Sequence, residues 1–203
     1  MNPLRCILLL PFATTLALGQ AAPPSDPADQ PRALVTSLYH EVIDRRPIGV
    51  PHGRDMKVFA PYLSKALLHK MSLADACAAD WYRQHPHSRD PQHPEFILKP
   101  EYGWLELGTF SGGDDEGELR AFHIERTQAG KDGSFQVHLR LTWGMPPEKP
   151  WLSYVALVVR RENGRYVVDD LLYLKDNHDV ESRLSKILSE GCNGSHWVGY
   201  RGQ

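Results

Sequence analysis

The chain has 203 residues, with 23 Lys and Arg against 25 Asp and Glu, a formal net charge of −2 and 41% hydrophobic residues. A balance this close to neutral, with no block of lysine or arginine, argues against nucleic acid or an anionic membrane as the main partner. The length suffices for one domain with a proper core.

In chain order, Asn2 to Arg5 give a short basic start, an apolar run follows from Cys6 to Leu18, and small residues come next in "ALGQAA". That is the layout of a secretory signal peptide cleaved after Gly19 or Ala21, so residues 1–21 are expected to be removed. The apolar run is too short for a stable membrane span and no second run exists, so no span is expected after cleavage. Cys6 lies too early to be the anchoring cysteine of a lipoprotein. "APPSDPADQP" (22–31) reads as a flexible leader, and 32–203 as a single α+β domain. Without the signal, the cysteines are Cys77 and Cys192. Export makes a disulfide between them the expectation, with free buried thiols or one reactive thiol as alternatives.

Between 33 and 45 the apolar residues Leu34, Val35, Leu38, Tyr39, Val42 and Ile43 form one helical stripe, ended by Pro47, Gly49, Pro51 and Gly53. Phe59, Leu63, Ala66 and Leu67 keep helical spacing in a second segment. Ser72 with Asp75 three residues later reads as the N-cap of a third helix running through Cys77, Trp81 and Tyr82. Asp75 is then a cap-region carboxylate, not a catalytic one. "WYRQHPHSRDPQHPEF" follows, placing His85, His87 and His93 near Asp90 and Glu95. Zinc or copper would want three or four such ligands held by a second shell. The spacing matches no established metal motif, and Pro86, Pro91 and Pro94 favour a solvated connector. No metal or cofactor is expected.

Past Pro100 the patterning changes. "GGDDEGE" lacks the ligand spacing of an EF-hand and reads as an acidic turn. Strands at 119–127 and 135–143 flank "QAGKDGS", a hairpin signal. Phe135, Val137, Leu139, Leu141 and Trp143 share one face, while Gln136, His138, Arg140 and Thr142 share the other. Asn163-Gly164 turns a second hairpin whose strands, apolar on both faces, belong in the middle of the sheet. A two-residue turn sets Leu157 opposite Asp170 and Val158 opposite Asp169, with the two aspartates on opposite faces. Residues 180–188 read as a last helix capped near Gly191, placing Cys192 within reach of the third helix. Asn193 opens a glycosylation-type triplet, relevant only in a eukaryotic secretory pathway. Helices, then an antiparallel meander, then a short helix make an α+β domain.

"GWLELGTFSGG", "FHIERTQAGKDGSFQVHLRLTW", "RYVVDDLLYLKD" and "SRLSKILSEGCNGSHWVG" carry a resemblance to the nuclear transport factor 2-like superfamily. Within it the chain resembles an uncharacterised exported bacterial branch, domain of unknown function 3828, from about Pro31 to Val198. The resemblance implies helices wrapped by a curved, cone-shaped antiparallel sheet. Enzymes of the superfamily use a pocket between helices and sheet, often with an aspartate or histidine base. No position here matches such a catalytic motif, and fold alone does not fix function.

The candidate sites are therefore read from chemistry. His123 and Glu125 on one strand and His138 and Arg140 on its partner form a polar face, either a ligand-cavity lining or the wet side of a sheet. Asp169 or Asp170, with His123, are the acid–base candidates, since a partly desolvated aspartate can take a proton. Tyr39, Trp104 and Trp81 are candidate aromatic pocket walls, with core packing as the plainer role. The expected function is an exported, periplasmic or secreted bacterial domain that binds a small molecule or a partner protein without catalysis, as a monomer or homodimer. The alternatives are a small acid–base enzyme of isomerase, dehydratase or hydrolase type, and a periplasmic inhibitor or immunity-type protein.

Overall fold

A computed structural model of the chain describes residues 26–85, 108–112, 118–144, 147 and 149–199. Three helices come first: α1 (Asp29–Arg45), α2 (Gly53–Phe59), extended by a 3₁₀ turn at Ala60–Tyr62, and α3 (Lys65–Gln84). Strands β1 (Leu119–Ala129), β2 (Phe135–Trp143), β3 (Trp151–Glu162), β4 (Arg165–Leu174) and β5 (Val180–Arg183) follow. They form a five-stranded antiparallel meander in chain order. A short α4 (Leu184–Ile187) and a small hairpin, β6 (Cys192–Asn193) with β7 (His196–Trp197), complete the described chain. The architecture is α+β, with helices preceding the sheet.

Helix α1 starts at Asp29, four residues before the expected 33, so residues 29–31 of the expected leader are helical. Pro31 sits in the first turn, where its missing N–H costs no hydrogen bond. The expected second helix is broken. Leu63 is extended, pairs with Val168 as a parallel bridge, and the Ser64 N–H donates to the Val168 carbonyl at 2.8 Å. Pairing with the open edge of β4 outweighs helix continuation there. The third helix then starts at Lys65 and not at Ser72: Ser64 is its N-cap, with Oγ accepting from the Leu67 N–H at 3.0 Å. Ser72 and Asp75 lie in the helix interior, which corrects the cap reading of both. The expected last helix is corrected as well. Residues 180–183 form β5 on the remaining edge of β4, and only four residues are helical.

The helices cover one face of the sheet. Val35, Leu38 and Val42 of α1, Phe59, and Leu67 and Met71 of α3 meet Leu139, Leu141, Leu157, Val168 and Leu171 in one buried cluster. Inside it runs the segment 108–112. The fully buried Tyr39 donates its hydroxyl to the Phe110 carbonyl at 2.6 Å, and Tyr173 donates to the Thr109 carbonyl at 2.7 Å. Phe110 stacks at a tilt on Phe59, 4.8 Å between centroids. The expected pair Cys77–Cys192 is bonded, with Cα atoms 6.1 Å apart. Beside it, the Asp80 carboxylate accepts from the Trp197 N–H at 2.8 Å, from Arg83 at 2.8 Å and from Gln84 at 3.0 Å. The C-terminal hairpin is thus fixed to α3 covalently and by charge.

Candidate functional site

The face of the sheet turned away from the helices carries the polar candidates, and the strand register decides who meets whom. In β1 the pairing slips between Ile124 and Arg126, a bulge at Glu125. His123 therefore lies opposite Arg140, and Arg126, not Glu125, lies opposite His138. Directly opposed residues of an antiparallel pair share a face. His138 in turn faces Ala156 on β3, and Arg140 faces Tyr154. The expected polar face is thus assembled, with Glu125 reaching Arg140 at 4.0 Å from the bulge. Next to it is a small apolar cluster of Ala156, Leu172 and Leu174, flanked by Tyr154 and Val158.

His138 is only 5% exposed. Arg126 places a guanidinium nitrogen 3.4 Å from its Nδ1. A guanidinium only donates, so Nδ1 presents its lone pair and the neutral ring carries its proton on Nε2. That Nε2 is buried and has no hydrogen-bond partner. Desolvation, helped by Arg126 and His178 and opposed by Glu125, holds the ring below the ordinary histidine pKa. His178 comes from the turn between β4 and β5. Its backbone is left-handed, φ 65°, in a loop closed by His178 N–H to the Lys175 carbonyl at 2.8 Å and Lys175 N–H to the Asp179 carbonyl at 3.0 Å. The ring rests on Tyr154 with centroids 4.5 Å apart, and its Nδ1 is also buried without a partner. Arg126 and His178 were not singled out by the sequence. The slip at Glu125 hides the first. For His178 the available signal was a histidine inside the turn-rich "KDNHD".

Asp169 and Asp170 occupy a second bulge. The β3–β4 pairing slips after Val159↔Val168, so Val158 faces Asp170 and Leu157 faces Leu171. The expected register, with Leu157 opposite Asp170 and Val158 opposite Asp169, is corrected by one residue. Asp169 is the extra residue, and its Oδ1 accepts from Ser64 Oγ at 2.6 Å and lies 3.1 Å from Arg160 Nε. Asp170 is 8% exposed. It accepts from the Ser185 N–H at 2.9 Å, the Ser185 hydroxyl at 2.6 Å and the Leu171 N–H at 3.0 Å. Arg183 stands 3.9 Å from it. Both carboxylates are engaged in holding helix starts, α3 through Ser64 and α4 through Ser185.

The remaining candidates are dispersed. Tyr39 is on the helix side, in the core, with its hydroxyl spent and its pKa raised by burial. His85 caps the end of α3, donating from Nδ1 to the Trp81 carbonyl at 2.8 Å and stacking on the Trp81 ring. His87, His93 and Trp104 lie outside the described residues. Among the described residues, no group of three or more His, Cys, Asp or Glu side chains has a metal-holding arrangement. No protein-family model, curated protein or solved structure matches the chain.

Proposed function

We propose that this chain is an exported bacterial domain of the cone-shaped, nuclear transport factor 2-like class, which binds a small molecule or a partner protein and does not catalyse a reaction. The observation that carries this reading is the employment of Asp169 and Asp170. A general base needs an oxygen free to reach the substrate proton. Asp170 instead accepts three hydrogen bonds, and Asp169 is tied to Ser64 and Arg160. Among the described residues, the buried side-chain nitrogens without a partner are His138 Nε2 and His178 Nδ1, which suit recognition. The Cys77–Cys192 bond is compatible with export. No helix among the described residues is long and apolar enough to cross a membrane.

The test is native mass spectrometry of the chain purified after export, with a periplasmic pull-down in parallel. An organic adduct absent from the denatured, unreduced protein, or a stoichiometric protein partner, supports the reading. A bare chain with no partner in either experiment counts against it. Activity on a small substrate that survives folding controls and disappears in Asp170→Asn favours the acid–base enzyme instead.

A further inference from the structure

A buried polar atom without a partner costs about 1–3 kcal/mol, and native proteins keep few of them. Among the side chains of the described residues two occur, His138 Nε2 and His178 Nδ1, and the fold brings them to one patch. His138 lies opposite Ala156, Tyr154 is two residues further along the same face of β3, and His178 stands on the Tyr154 ring. Resting on the binding role argued above, we propose that this patch is a site for a small organic carboxylate, covered by the turn at 175–179.

Each feature of the ligand follows from a group already placed. His138 presents an N–H on Nε2, because Arg126 occupies its lone pair at Nδ1. The ligand atom meeting it is therefore a hydrogen-bond acceptor. On the same sheet face are the guanidiniums of Arg126 on β1, at the Nδ1 side of the His138 ring, and of Arg140 on β2, which has Glu125 at 4.0 Å. Arg183 on β5 is already beside Asp170. The turn itself adds Lys175 against Asp176 and Asp179, both exposed to solvent. The preference therefore rests on Arg126, which has no carboxylate partner among the described residues, while Glu125 stands by Arg140 and Asp170 by Arg183. An unpaired guanidinium beside the ring favours an anionic acceptor over a neutral carbonyl. Tyr154, Leu172 and Leu174 offer the ligand's body an apolar seat. Both histidine nitrogens are closed off from solvent, so entry requires the turn to swing out. Its left-handed non-glycine residue is His178 itself, an uncommon backbone state that clusters at clamps and switches.

The test uses the full-length exported chain labelled with ¹⁵N-histidine, titrated with benzoate while the ring nitrogens are followed by NMR. The free protein is expected to show His138 as the Nε2–H tautomer. Benzoate should then produce saturable shifts at His138 and His178 together. Benzyl alcohol, which has the ring without the charge, should bind about tenfold more weakly or worse. His138→Phe should abolish the response. His178→Asn, at an exposed turn where asparagine tolerates φ > 0, should weaken it about tenfold and covers the case in which His138→Phe does not fold. Absence of a saturable shift, or an equal response in both folded variants, overturns the site and leaves a buried water as the partner of these nitrogens. A native adduct that persists in His138→Phe also overturns this site while sparing the binding role. No adduct, no protein partner and no benzoate response remove both.

Discussion

Asp169 and Asp170 are adjacent in the chain but hold different helices, and each makes a separate prediction. Ser64 Oγ accepts from the first turn of α3 and donates to Asp169. Ser64→Ala should cost about 1 kcal/mol, as other N-cap losses do. Asp169→Asn should cost less in that background than in the wild type, because the two act through one bond. Denaturant titration of the double-mutant cycle checks this, and additive losses would separate the pair. Asp170→Ala leaves the Ser185 donors unmet and should destabilise by about 1–3 kcal/mol. A variant of wild-type stability would contradict the structural role. Protonation adds a pH signature. The depressed pKa of His138 means that the unfolded chain takes up a proton where the folded chain does not. Its stabilisation is present above pH of about 6.5 and is lost as the pH falls. Asp75 runs the other way. Desolvation, opposed by His52, pushes it up to about 6. Its share is therefore present below about pH 4 and lost as the pH rises through the folded value. Asp75 keeps exposed surface, so solvent screening keeps this effect small. Asp80 is depressed chiefly by the Trp197 N–H, so its hold on the C-terminal hairpin fails only below about pH 4. Thermal melts from pH 4 to 8 should show Asp75→Asn gaining stability at pH 7 but not at pH 4. His138→Phe should flatten the slope below pH 6.5. Unchanged slopes in both would refute the assignments.

At the scale of elements, legibility followed the kind of force involved. β2 was readable end to end because its alternation is dictated by the face buried under the helices and the turn before it carries Gly130 and Gly133. The Asn163-Gly164 hairpin was readable from its turn residues instead, with both central residues at positive φ. The bulges at Glu125 and Asp169 were not, since an extra residue leaves the hydrophobic pattern almost intact while moving its neighbours by one place. That single-place slip concealed Arg126 beside His138 and set Asp170 against Val158. Leu63, Ser64 and 180–183 were misread for another reason. Their conformation is imposed by unpaired groups on the edge of β4, a partner far away in sequence. Gly191 offers an element-scale prediction. Its φ is +69°, and a Cβ there would lie 2.3 Å from the Trp197 ring. Gly191→Ala should displace that ring and cost more than about 1 kcal/mol, read as a changed tryptophan emission together with a lower melting temperature. An unmoved spectrum would mean that the hairpin is not packed on this glycine.

For the whole molecule, the sequence conveyed the order of layers and the cysteine pair, while the site had to wait for the register. The bond between Cys77 and Cys192 spans 115 residues. By chain entropy such a closure is worth up to about 5 kcal/mol. Reduction should lower the melting temperature, and reduced protein that melts with the oxidised form would show the link to be idle. The same bond also sets a timetable. A chain that emerges N-terminus first presents all of α3 and the whole meander before Cys192 arrives. Until then Cys77 lacks the partner it has in the folded chain and is exposed to any earlier one. If residues 1–21, with Cys6, are removed as the proposed export entails, a product that stops short of residue 192 cannot shed that thiol by internal pairing. Quality control acting on free thiols would thereby read, from one atom on α3, whether the far end of the chain has been delivered.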